Sequence, residues 1–381
     1  MTDTASPELA MAGGGEPAST PRTRAARRWR IERRLQTPWY LEGGAIGGGI
    51  LLAVLICAVL IAAAGSEVLA SYQALYNGAF GTRNASIETL VQATPLIFTG
   101  LAATFAFRAK VWNIGAEGQL YAGAMGAFWA SDLLTDAVPR FPLIVTVMLF
   151  AAVFGALWAG IAGLLRTQFG VNEIIATVML NFVIINIVSF LLADWWQDPA
   201  SFYYQTARMP DVVALPRIFE SGRLHLGFII ALVMAVLVWF VLERTSFGYE
   251  VRSIGANPRV ATYGGIQSRR IILATMLVSG AIAGLAGASE LTGIHLRLQL
   301  DISDNLGFTG IIIALVARLR PAGVVVAAIV AGALTNGATT MQLTTGVPAA
   351  LVDVLKGLAL VLVLLAAVVV NYRLRRVKAD G

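Results

Sequence analysis

Long apolar runs separated by short polar connections dominate the chain. Ten runs stand out, at about 43–64, 86–107, 115–134, 141–165, 172–192, 224–242, 271–290, 305–317, 322–340 and 349–370. A helix that crosses a bilayer needs roughly 20 mainly apolar residues. Every run approaches that length except the eighth, which suits a broken or re-entrant element as well as a full crossing. A re-entrant hairpin of runs eight and nine would bury Arg318 and Arg320 at its tip, at a few kcal/mol each, so ten crossings are preferred to eight. The pattern predicts an all-α, polytopic membrane protein with about ten transmembrane helices.

Positive charge sets the orientation, because short cytoplasmic loops carry the excess of Lys and Arg. With the N-terminus inside, 21 of the 28 basic residues fall in inner segments and six (Arg83, Arg140, Arg208, Arg217, Arg223, Arg297) fall outside; Lys356 lies within the last run. Both termini are expected in the cytoplasm. The expected organisation is a largely disordered basic arm over 1–42, a membrane domain over 43–370 and a cytoplasmic tail over 371–381. The Arg-rich stretch Arg22–Arg34 is suited to the anionic inner leaflet.

Composition agrees: 57% of the residues are hydrophobic and 13% charged, against about 25% charged in soluble domains. Cys57 is the single cysteine, and His225 and His295 stand far apart, so neither an internal disulfide nor a metal site is expected. None of the three lysines sits in GxxxxGK[ST], so the chain does not cradle ATP phosphates through a P-loop. No nucleophile–base set stands out, and neither an enzyme nor a cofactor is expected. Gly43–Gly47 and Gly280–Gly284 are small-xxx-small pairs that allow close helix approach.

Three stretches carry more information. In Phe107–Gln119 (FRAKVWNIGAEGQ), Asn113 can cap the third helix and Glu117 lies near its positive end, or Asn113, Glu117 and Gln119 together fix a bend beside a transport path. In Val171–Asn181 (VNEIIATVMLN), Asn172 and Glu173 repeat the arrangement, with Asn181 and Asn186 deeper in the same helix. Buried amides in lipid must find partners, either across helices or along a polar path. Glu250–Arg270 spans the longest inner connection. There Asn257–Pro258 predicts the start of a short basic helix and Gly264–Gly265 its end.

These stretches, with GFTGIIIALVAR at Gly307–Arg318 and MQLTTGVPAALVDVLKG at Met341–Gly357, resemble the permease subunits of ABC importers for nucleosides and simple sugars. The resemblance covers roughly residues 40–370. It implies two permeases, identical or paired with a sister subunit, two cytoplasmic ATPases, and an extracytoplasmic substrate-binding protein. It implies an ATPase-docking coupling helix over Arg252, Gly255, Ala256, Asn257, Pro258, Arg259, Ala261, Thr262, Tyr263 and Gly264. The amides favour a neutral, polar ring substrate, and Asn113, Glu117, Gln119, Asn181, Asn186, Asn336 and Gln342 are the candidates for its path. Nucleosides lead, with a pentose or hexose as runner-up. Two other readings stand beside these: an ion-coupled transporter using Glu117, Glu173, Glu290 and Asp353 as relays, and a non-transporting scaffold.

Overall fold

The structure, a computed structural model, describes residues 27–33, 39–369 and 372–378. The arm expected over 1–42 lies outside the described residues at 1–26 and 34–38. Between these, β1 (Arg27–Arg33) pairs antiparallel with β2 (Tyr372–Lys378), Arg27 opposite Lys378 and Arg33 opposite Tyr372. The pair joins the segment before α1 to the segment after α13.

The rest is helical. In chain order the helices are α1 (Trp39–Ala63), α2 (Val68–Phe80), α3 (Arg83–Arg108), α4 (Ala116–Leu134), α5 (Arg140–Phe169), α6 (Glu173–Ala193), α7 (Gly227–Arg244), α8 (Ser246–Ala256), α9 (Pro258–Tyr263), α10 (Ser268–Glu290), α11 (Leu306–Val316), α12 (Pro321–Thr345) and α13 (Ala349–Val369). Each apolar run of the sequence falls on one of them. Among the described residues, seven helices are long and apolar enough to cross a membrane: α3, α5, α6, α7, α10 with its extension to His295, α12 and α13. Gly47–Ala63 of α1 and the 11 residues of α11 are apolar but shorter.

Packing follows side-chain size. The central helix is α3, whose side chains from Ala93 to Phe107 are all buried, as expected of a helix apolar on every face. Beside it, α10 lies nearly in backbone contact with α4 and α5. A Cβ on Gly284 would fall 2.2 Å from the Ala151 carbonyl oxygen, and one on Gly123 would fall 2.4 Å from the Gly284 Cα. Such approaches drive helix association in lipid, where no hydrophobic term separates helix from tail. The Gly280–Gly284 pair thus makes the close contact its spacing predicts. Gly47 meets nothing within 4 Å, whereas Gly49 lies against Ala366 of α13.

The eighth run resolves into a broken crossing. Beyond α10 a π-helical turn, Leu291–His295, ends on Leu296 in the left-handed region (φ 50°). Irregular backbone over 296–305 then descends into the bundle. It is held there by the Tyr121 hydroxyl, which donates to the Leu300 carbonyl (2.5 Å), and by Thr99, whose hydroxyl donates to the Leu306 carbonyl (3.0 Å). From that depth α11 supplies only about 16 Å at ~1.5 Å per residue, half of the roughly 30 Å apolar core. It ends in a tight turn, with Arg318 and Leu319 both at positive φ. Arg108 Nε donates to the Leu319 carbonyl (3.1 Å), which pins that turn to the end of α3.

Candidate functional site

At the end of the bundle that carries Arg108, α8 and α9 form an elbow. Asn257 makes the corner: its side chain accepts from the backbone N–H groups of Arg259 (3.0 Å) and Val260 (3.4 Å), and Pro258 takes the first helical position. These are the N-cap and N1 preferences acting together. Gly265, at φ 84°, closes the far end. Glu243 fastens the elbow to the bundle, pairing with Arg108 (2.8 Å) and Arg252 (3.6 Å).

The expected coupling residues divide by exposure. Ala256, Asn257, Pro258, Arg259, Thr262, Tyr263 and Gly264 face solvent, as does Val260; Tyr263 is 93% exposed and Val260 64%. Gly255 and Ala261 are buried, and Arg252 is half-buried. Gly255 is a packing position: a Cβ there would lie 2.0 Å from the Arg108 carbonyl oxygen. A presented surface therefore consists of Pro258, Arg259, Val260, Thr262 and Tyr263, beside a concavity of about 400 Å³ that Ser268 also lines.

Next to that end, residues 109–115 are non-helical, and several of their backbone polar groups lack helical partners. Side-chain amides satisfy them. Asn113 and Gln119 exchange hydrogen bonds in both directions (3.0 and 2.8 Å), and Asn113 Nδ2 also donates to Ser279 Oγ (2.9 Å). Asn113 Oδ1 accepts from Gly115 N–H (2.9 Å), so it braces the entry to α4 rather than capping it, and Gly115 holds the cap position. Asn181 of α6 accepts from Gly118 N–H (2.9 Å) and donates to the Ile114 carbonyl (3.0 Å). The buried Glu117 carboxylate accepts from Gly307 N–H (2.7 Å), at the start of α11. A carboxylate at the positive end of a helix that begins inside the bundle is favoured by the helix dipole. Irregular backbone is tolerated in a membrane protein where protein groups satisfy it in this way.

Residues 86–364 match the family described as "Branched-chain amino acid transport system / permease component". The chain belongs to this permease family. It is 34% identical over 336 residues to a guanosine ABC transporter permease protein of Bacillus subtilis, covering 87% of this chain and 95% of that one. It is 31% identical to a glucose ABC transporter permease protein of Haloferax volcanii (90% and 93% covered) and 29% identical to a nucleoside ABC transporter permease protein of Lactococcus lactis (87% and 92%). The protein is thus an ABC transporter permease, a multi-pass protein of the inner membrane.

Within the permease, the seven candidate path residues do not share one environment. Asn113, Glu117, Gln119 and Asn181 are buried in the polar knot. Asn336 of α12 donates to the carbonyls of Gly78 (2.7 Å) and Ala85 (3.0 Å), which fastens α2 and the start of α3. Gln342 is half-buried near the end of α12. Asn186 alone of the seven is exposed; it sits on an open face of α6 among Phe182, Val183, Ile187 and Phe190, and donates only to the Phe182 carbonyl (2.8 Å). Sequence reasoning missed Ser279, which joins the knot from 166 residues away, and Val260, whose apolar side chain on a basic loop gave the signal.

Proposed function

We propose that the permease is the membrane subunit of an ATP-driven importer of nucleosides. Two copies, or one copy with a sister subunit, form the core; ATPases dock on α9 from the cytoplasm, and an extracytoplasmic binding protein delivers substrate. The observation that carries this reading is the α9 elbow: a capped, rigidly mounted helix presenting Val260 and Tyr263 to solvent, on a chain with no P-loop of its own. Exposed apolar and aromatic side chains beside a concavity are what a partner's pocket takes up.

In this reading the path runs along the open face of α6, which Asn186 supports by its exposure there. An amide facing lipid is costly, so Asn186 is better accommodated against a partner subunit or a polar cavity than against acyl chains. Asn113, Gln119 and Asn181 brace the entry to α4 and Glu117 holds the start of α11, instead of touching substrate. Three of the four relay candidates are engaged: Glu117 is held by Gly307, Glu173 pairs with Arg166, and Asp353 pairs with Lys356 (2.8 Å); the buried Glu290 faces His295 (3.7 Å). The guanosine and nucleoside permeases among the relatives support a nucleoside substrate; the glucose permease supports the second reading, a simple sugar.

Uptake of labelled guanosine, by cells that carry the complete transporter and no other nucleoside carrier, tests both points. Excess unlabelled nucleoside should abolish the signal and excess glucose should leave it, and uptake should survive an uncoupler while ATP is maintained. Loss of uptake on uncoupling alone would favour an ion-coupled transporter. Uptake of glucose in place of guanosine would favour the sugar reading.

A further inference from the structure

At the end of the bundle opposite α9, the long connection between α6 and α7 folds back onto the descending segment after α10. The two backbones run side by side. Thr206 N–H donates to the Leu298 carbonyl (2.9 Å), Leu298 N–H donates to Thr206 Oγ1 (3.0 Å), and Met209 N–H donates to the Leu296 carbonyl (2.8 Å). Gln205 and Gln299 stand opposite each other in a β-bridge, and Arg297 pairs with Asp198 (3.5 Å). Thr206, Met209, Val213 and Leu215 are buried. The connection is therefore an anchored lid over the mouth of the bundle.

Between the two backbones lies a cavity of about 250 Å³ lined by Tyr203, Tyr204, Gln205, Gln299, Leu300 and Asp301. Both tyrosines are exposed, and so is Asp301, which has no Lys or Arg partner among the described residues. The amide nitrogen of Gln205 is engaged by Ser201 Oγ (2.9 Å), and that of Gln299 lies 3.3 Å from His295 Nδ1. Their carboxamide oxygens are left to accept. The cavity thus offers two aromatic faces with their hydroxyls, one carboxylate and two carboxamides: stacking surface plus hydrogen-bonding groups in a small volume.

The geometry points to an outer subsite for the base of a nucleoside, occupied before the substrate enters the membrane. This rests on the nucleoside reading above. A guanine base presents a flat ring to stack on tyrosine and two adjacent N–H groups that one carboxylate accepts together. A hexose has no such adjacent pair of N–H donors to present to one carboxylate, so Asp301 distinguishes the base. Its volume lies just below the roughly 300–1,000 Å³ of ordinary small-molecule sites, which suits one heterocycle and excludes a protein loop. The floor also connects to the broken crossing. The Leu300 carbonyl accepts from Tyr121 of α4, and a few residues on, Gly307 is held by Glu117. A base seated on Leu300 therefore bears on the segment that positions α11.

The test titrates the full-length permease in lipid nanodiscs, without ATPase or binding protein, with tritiated guanosine, adenosine and glucose, beside guanosine uptake by the complete transporter. Guanosine should bind the permease alone. Tyr203→Ala with Tyr204→Ala should weaken it roughly tenfold or more, the loss expected for stacking. Asp301→Asn should weaken guanosine by a similar factor and adenosine, which lacks the paired N–H groups, far less. Phe202→Ala, at a fully exposed neighbour outside the cavity, should change nothing. If the transporter takes up guanosine while the isolated permease binds none, or binds it equally in every variant, the subsite is wrong and the nucleoside reading stands. Glucose binding in the cavity, or equal loss with Phe202→Ala, also overturns the subsite. If the wild-type transporter does not carry guanosine at all, the functional reading fails first and the subsite with it.

Discussion

Gly284→Leu should leave almost no folded permease after detergent extraction. Gly284 is pinched by backbone from two sides, with the Ala151 carbonyl 2.2 Å and the Gly155 Cα 3.2 Å from where a Cβ would stand, while α4 meets its Cα through Gly123. Backbone cannot swing aside as a flexible side chain can. Accommodating leucine means separating α10 from α4 and α5 along the contact that organises the bundle. Overpacking of this kind costs typically about 1–3 kcal/mol and sometimes more, and in lipid no hydrophobic gain offsets the lost van der Waals contact. The loss also reaches the polar knot, because α10 carries Ser279, which accepts from Asn113 and donates to the Ala102 carbonyl (2.8 Å). Gly357→Leu is the control, since nothing lies within 4 Å of a Cβ there. Size-exclusion profiles and melting temperatures separate the outcomes: Gly284→Leu should aggregate and Gly357→Leu should behave as wild type. A monodisperse Gly284→Leu protein with wild-type melting would refute the packing account.

Val260→Asp combined with Tyr263→Ala should reduce uptake to background in a permease that extracts and melts normally. Both side chains are exposed and support nothing within the chain, so the fold has no reason to notice. Loss of an interface tyrosine typically costs about 2 kcal/mol or more of docking, and a carboxylate placed in a partner's apolar groove adds desolvation cost. Coupling then fails through weak ATPase binding, which co-purification of the ATPase reads directly. Wild-type uptake in this double variant would remove α9 from the coupling role. Gly255 is a poor probe of the same idea, because its substitution would disturb the α8–α3 contact first.

Much of the fold was legible because lipid imposes a simple rule on the sequence. Every apolar run lies on a helix, and local chemistry set several boundaries: Asn172 accepts from Ile174 and Ile175 N–H at the start of α6, and Asn257–Pro258 opens α9. The failures are non-local. Gln119, in the same stretch as Asn113, was open to a bracing role, but nothing near Asn113 announces Ser279, 166 residues away. Asn181 and Asn186 sit five residues apart in a helix apolar all round, and only tertiary packing decides that one is buried and the other exposed. The helix α2 escaped because Val68–Phe80 is too short and too polar to read as a crossing; it is held by Asn336 and by the close approach of Gly337 to Leu75. The pairing of β1 with β2 joins segments more than three hundred residues apart, beyond any local pattern.

The account depends most on which side of the membrane α9 faces. Cys57 is the single cysteine, so Cys57→Ser with Tyr263→Cys gives a permease with one reactive thiol on the elbow. Labelling with a membrane-impermeant maleimide should succeed in inside-out vesicles and fail in right-side-out ones. Labelling from the outside would place α9 beyond the reach of any cytoplasmic ATPase and contradict the proposed machine.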